Sequence, residues 1–243
     1  MILIAEYQYF PSVILYKKLT NFSNIVFDKY EYYRKMTFRN RCRIASAEGT
    51  IDLSIPLEKG RDQRSLIRDV RISGSRKWQA EHWKTILSCY SRSPWFEFYR
   101  DELEQLYRQP ALFLTDWNLA CFEWSIRVLG MPLEISFTDA WYKTSPEGRR
   151  VNPPKEWTDW RNKILPKTSV QRQKGDHSAK PERKALSGAG SALKGRDLQQ
   201  GEAEPEPVIY RQVFEERTGF LPGLSILDLL FCEGKNARGL LAR

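Results

Sequence analysis

The 243-residue sequence contains no run approaching the roughly 20 consecutive apolar residues that cross a bilayer, which excludes a helical integral membrane protein. Cysteine is scarce: four residues, at 42, 89, 121 and 232, with no CxxC pair among them. A disulfide-stapled miniature is excluded, no zinc-ligand set is in place, and buried reduced thiols are the expectation. No GxGxxG, GxxxxGK[ST] or GxSxG occurs, so the dinucleotide, P-loop and nucleophile-elbow readings lack their motifs. No cofactor and no metal are therefore expected. The opening MILIAEYQYFPSVILYKK has no basic leader, and Glu6 interrupts its apolar run. It does not read as a signal peptide, and a cytoplasmic location is the default.

What is present is aromatic and basic. Aromatic residues make up 13% of the chain, with eight tryptophans, far too many for a wholly disordered polymer. The net charge of +9 has two sources. Residues 34–84 hold 13 Lys+Arg against 6 Asp+Glu, and residues 143–207 hold 14 against 9. The first stretch is rich in apolar residues and reads as folded. From Lys143 the composition changes, and 166–207 carries few large apolar side chains beyond Val170, Leu186, Leu193 and Leu198. Such a segment cannot bury enough surface to offset chain entropy. The expected organisation is a core domain at 1–142, a largely disordered linker at 143–207, basic and then acidic, and a segment at 208–243 too short to fold alone that docks back onto the core.

Periodicity divides the core into strands followed by helices. Ile2–Ile4 and Ile25–Phe27 read as short strands, with a helix starting near Ser12 after Pro11. Residues 36–45, 50–57 and 66–73 read as half-buried strands, with a turn at 47–49. Helical spacing takes over at 77–90, 95–107 and 112–129, where Gly130 is a natural stop, and 133–137 reads as a last strand. The fold class is α/β, of the mixed α+β kind, with a small sheet preceding a helical half.

Chemistry concentrates in YYRKMTFRNRCRI at 32–44. If 36–44 is one strand, Arg39, Arg41 and Arg43 share a face, and Asn40 lies on the other. Three guanidiniums so spaced repel unless an anion lies between them, and their forks match phosphate or carboxylate. The alternative is an edge strand protected by cross-strand ion pairs to Asp52, Glu58 or Asp69. His82 shares a helical stripe with Trp78, Ile86 and Cys89 or Tyr90, so it is either a hydrogen-bonded core residue or a general base. Asp116 and Asn118 interrupt an apolar helix, lining a cavity or marking its wet side. Glu6 and Gln8 follow a buried strand, where ligands of open α/β sheets gather.

These residues resemble the WbqC-like proteins of bacterial polysaccharide gene clusters, most closely the form found in Bacteroidetes. The resemblance covers about 1–142 and 208–236. It rests on QYF with Pro11, YYRKMTFRNRCRI, LSIPL at 53–57, HWKTILSCY at 82–90, SPWFEFYRDEL at 93–103, DWNL at 116–119 and FLPGLSILDLLFCEG at 220–234. The wider family often opens with a His-Gln-Pro-Asn type of motif; here those positions are Ala5, Glu6, Tyr7 and Gln8, so no role of that histidine carries over. Positions matching family motifs are Asn40, Arg41, Arg43, His82, Tyr90, Asp116 and Asn118. The resemblance implies O-antigen-like glycan synthesis, with an aminoacyl or acyl transfer onto a nucleotide- or lipid-linked amino sugar. In that reading His82 and Asp116 are the catalytic pair. Asn40, Arg41, Arg43, Arg39, Tyr90, Asn118 and Glu6 bind a sugar nucleotide or acyl donor, and other glycan enzymes are possible partners. The alternative is a non-enzymatic module that binds glycan enzymes or, less in keeping with the sequence, nucleic acid.

Overall fold

In a computed structural model, residues 1–60, 64–74, 77–139, 153–166 and 206–243 are described. Four short strands form a parallel sheet: β1 (Ile2–Ala5), β2 (Asn24–Phe27), β5 (Glu134–Phe137) and β6 (Trp157–Asp159), in the order β5-β2-β1-β6. β1 and β2 are buried without alternation, as parallel strands lying between layers are. Helix α1 (Val13–Leu19) links them, burying Val13, Leu15, Tyr16 and Leu19 on one side. The chain leaves β1 toward β2 and β5, whereas β6 lies on the opposite flank of β1. The residues that follow β1 and β6 meet at the carboxyl ends of those two strands, here called the β1–β6 crevice, where open α/β sheets gather ligands.

Between β2 and β5 the chain inserts a hairpin and three helices. The hairpin pairs β3 (Arg41–Ser46) with β4 (Gly49–Ser54), and Gly49 turns it at φ 117°. Helix α2 (Trp78–Tyr90) buries Trp78, His82, Ile86 and Tyr90, one residue per turn. Helix α3 (Phe96–Arg108) presents Phe96, Tyr99, Leu103 and Tyr107 to the same core, and α4 (Leu114–Leu129) ends on left-handed Gly130.

The last segment carries α5 (Glu215–Thr218), α6 (Ile226–Glu233) and α7 (Ala237–Leu241). It docks onto the first part of the chain, as its apolar content suggested. Ser225 caps α6, accepting from the Leu227 N–H at 3.3 Å, and its hydroxyl donates to the Phe10 carbonyl at 2.9 Å. Its own N–H donates to the Arg43 carbonyl at 2.8 Å, and the Ile226 N–H to that of Pro11 at 2.9 Å. Six consecutive residues, Ile226–Phe231, are buried, so α6 is a central rather than a peripheral helix.

Three features depart from the sequence reading. Residues 66–73 form no strand; a 3-10 turn at Ile67–Asp69 is flanked by isolated bridges, Leu57 to Ile72 and Arg71 to Phe113. The strand read from residue 36 begins only at Arg41, because the chain is left-handed at Met36, whose φ is 60°, and turns again at Phe38–Arg41. Strand β6 and the buried Trp160 fall within 143–207, the stretch whose composition reads as linker. The purely linker-like 167–205 lies outside the described residues.

Candidate functional site

The turn at Phe38–Arg41, closed by the Arg41 N–H on the Phe38 carbonyl at 3.4 Å, decides where the three arginines go. Arg39 is fully buried and points inward, its Nε 2.8 Å and its Nη2 2.5 Å from the two oxygens of Glu31. Arg41 and Arg43 lie on the outer face of β3 without it, so the three do not form one anion-binding row. Arg43 pairs bidentately with Asp52, directly opposite on β4, at 2.7 and 3.0 Å. This is the cross-strand ion pair that an edge strand favours. Arg41 reaches the same carboxylate only at 4.0 Å. One aspartate thus faces two guanidiniums, and Arg41 keeps most of its field.

Arg41 and Asn40 line a hollow of about 610 Å³, with Tyr33, Lys35, Met36 and Glu58 among the other walls. Asn40 holds two of these walls together: it accepts from the Tyr33 phenol at 3.0 Å and donates to the Ile55 carbonyl at 3.1 Å.

Behind the hollow lies His82. Its Nδ1 is 3.1 Å from the Tyr9 phenol, which is 2.5 Å from that of Tyr107. The Ser54 backbone acts on the ring, raising its pKa against burial, and Ser54 lines the hollow although His82 does not. Burial lowers the imidazole pKa to about 4, so the ring is neutral at pH 7. Asp116 does not join it. It stands exposed in the first turn of α4, where its charge, after burial, is the next cause that raises the Tyr7 phenol. Asn118 is buried on the same helix and donates to the Arg39 carbonyl at 2.7 Å. Tyr90 lies elsewhere, donating to Asp228 at 2.7 Å while its oxygen accepts from the Ala45 N–H at 2.9 Å. Tyr210 donates to the other oxygen of Asp228 at 2.7 Å, and burial raises that carboxyl to about 6.

The crevice between β1 and β6 gathers a second set. Glu6, just past β1, accepts from Gln8 Nε2 at 2.8 Å and from the Asn162 N–H at 2.7 Å. Asn162, just past β6, adopts φ 60° and accepts from Arg39 Nη2 at 2.9 Å. Burial pushes the Glu31 carboxyl up, with Arg39 pulling the other way. Alongside, Arg161 bridges Asp28 and Asp159. Sequence reasoning placed Glu6 here but missed Asp28, Glu31, Arg161, Asn162 and Asp228. The first four follow strands too short to show a period, and Asp228 sits among five buried apolar residues of α6, where a carboxylate was itself the signal.

Among the described residues no group of three or more His, Cys, Asp or Glu is placed to hold a metal ion, and no helix is long and apolar enough to cross a membrane. The model of the WbqC-like protein family matches residues 7–239. The chain belongs to the WbqC-like family. That match takes in the hollow and the docked α6, whereas β1 and Glu6 precede it, and the family is associated with polysaccharide cluster proteins. No curated protein and no solved structure matches this WbqC-like chain.

Proposed function

We propose that this WbqC-like protein binds a phosphate-linked sugar in the hollow beside β3 and serves surface-glycan assembly in the cytoplasm, transferring an aminoacyl or acyl group to a nucleotide- or lipid-linked amino sugar. The observation that carries this reading is Arg41. Its guanidinium lines the hollow while the neighbouring carboxylate is committed bidentately to Arg43, and Lys35 lines the same walls. A phosphate group would supply the missing negative charge with matching geometry. Asn40 contributes by keeping the Tyr33 and Ile55 walls at a fixed separation. His82 enters through Ser54, whose backbone acts on its ring and which lines the hollow. Acting through Nδ1 as the base on an acceptor amine would require its ring to give up Tyr9. Asp116 stands apart from it, so the transfer step rests on the family setting and the binding step on the hollow.

The test is thermal stabilisation of the purified chain by nucleotide sugars, by acyl-coenzyme A compounds and by the same sugars without phosphate. A ligand at 100 times its Kd raises stability by about 2.7 kcal/mol. Stabilisation by phosphate-bearing compounds alone, lost in Arg41→Ala and kept in Arg100→Ala, is the expected result. Equal response with and without phosphate overturns the reading. Binding without turnover of any acyl or aminoacyl donor leaves a binding module in place of the transferase.

A further inference from the structure

The polar groups of the β1–β6 crevice form one hydrogen-bonded chain. Gln8 Nε2 donates to Glu6 at 2.8 Å, Glu6 accepts from the Asn162 N–H at 2.7 Å, and Asn162 Oδ1 accepts from Arg39 Nη2 at 2.9 Å. Its two ends are loose. Arg39 Nη1 and Gln8 Oε1 are buried and have no protein partner, although Arg39 is fully buried and Gln8 2% exposed. One end is a donor and the other an acceptor, at the carboxyl ends of two adjacent parallel strands, where open α/β sheets bind ligands. Buried polar groups of this kind are almost always satisfied.

The surrounding charge selects the guest. An anion that paired with Arg39 Nη1 would meet the carboxylates of Glu6 and Glu31. An ammonium that satisfied Gln8 would meet the guanidinium. A neutral group that both accepts and donates meets neither objection, and a hydroxyl is the simplest one. We infer that the crevice is a hydroxyl-binding site, in which one oxygen accepts from Arg39 Nη1 and donates to Gln8 Oε1, closing the chain into a ring. A neutral sugar and a trapped water molecule carry the same chemistry. The site is separate from the hollow: Arg39 and Asn40 are adjacent, but Arg39 joins the crevice network while Asn40 lines the hollow. It stands whether or not the hollow binds phosphate.

The experiment is a crystal structure of the full chain, alone and soaked with N-acetylglucosamine, together with thermal shifts of the wild type and Gln8→Leu against the same sugar. A sugar hydroxyl within about 3.2 Å of both atoms, with a sugar-dependent rise in Tm lost in Gln8→Leu, supports the site and makes the sugar its source. A single round peak bridging the two atoms, with no response to sugar, supports it with water as the source. An anion on Arg39, a protein acceptor turned onto Nη1, or nothing within that distance of either atom overturns it. The wild-type density decides the matter even if Gln8→Leu fails to fold.

Discussion

The phenol of Tyr90, at the end of α2, donates to the carboxylate of Asp228 on α6, 138 positions further along the chain, at 2.7 Å. The same oxygen receives the Ala45 N–H of β3, so one hydroxyl joins three elements. Replacing Tyr90 by Phe strands a buried backbone donor and removes one of two donors to a buried carboxylate. A loss of about 2–4 kcal/mol is expected, read from urea unfolding midpoints. A loss under half a kcal/mol would mean that water enters and takes the place of the phenol.

The pH dependence of stability follows from two groups of opposite sense. Asp228 titrates near 6 in the folded chain against an ordinary 3.8, so it favours folding at low pH and this contribution fades as pH rises from about 4 to 6. His82 titrates near 4 against an ordinary 6.5, so its contribution is full above about 6.5 and fades as pH falls toward 4. Between those limits the folded chain carries its proton on Asp228 and the unfolded chain carries one on His82. The two proton counts match, and the combined slope from these groups is near zero.

Single variants uncover the hidden terms. Asp228→Asn leaves His82 alone and should lose stability on acidification from pH 6.5 to 4. His82→Gln leaves Asp228 alone and should lose stability over the same range as pH rises. Each swing is on the order of 3 kcal/mol. Parallel pH profiles for the two variants would show that one of the groups is not buried as described.

Arg39 and Glu31 make a different test. Arg39→Met leaves Glu31 buried without its partner and should cost about 3–5 kcal/mol. The double variant Arg39→Met/Glu31→Leu should recover a large part of that loss, because no uncompensated charge remains. Failure of the double variant to recover anything would tie the damage to Asn162 and Glu6 instead.

How much of this was legible beforehand depended on length and period. Helices α2, α3 and α4 run 13, 13 and 16 residues, and their apolar stripes placed them to within two residues. Strand β6 is three residues, Trp-Thr-Asp, in a Pro- and charge-rich stretch; its pairing with β1 comes from tertiary contact that no local pattern carries. The arginine row failed because alternation was extended through 38–41, where a turn closed by the Arg41 N–H on the Phe38 carbonyl parts Arg39, in the core, from Arg41 and Arg43 on the strand. Asp116 and Asn118 looked equivalent in the sequence. Two residues apart on a helix they face different ways, and only Asn118 is buried.

Gly234, which follows α6, has φ 54°, and a Cβ built there would lie 2.1 Å from the Trp95 indole. Gly234→Ala combines backbone strain with overpacking and should cost about 2–4 kcal/mol. Adding Trp95→Ala should relieve the second part only. A double-mutant cycle with coupling near zero would place the indole elsewhere.

The docking of α6 also sets a timetable for synthesis. The hydroxyl of Ser225 closes onto the carbonyl of Phe10 across 215 positions. At about 5–20 residues per second, on the order of ten to forty seconds separates the emergence of these two residues from a ribosome. From the time α2 and α3 emerge until α6 follows, their aromatic faces have no α6 to cover them. Premature termination anywhere before Leu224 therefore yields a product with an open core, so loss of the segment from Leu224 onward should be as damaging as loss of β1, and cells making this protein have reason to shield the nascent chain until α6 arrives.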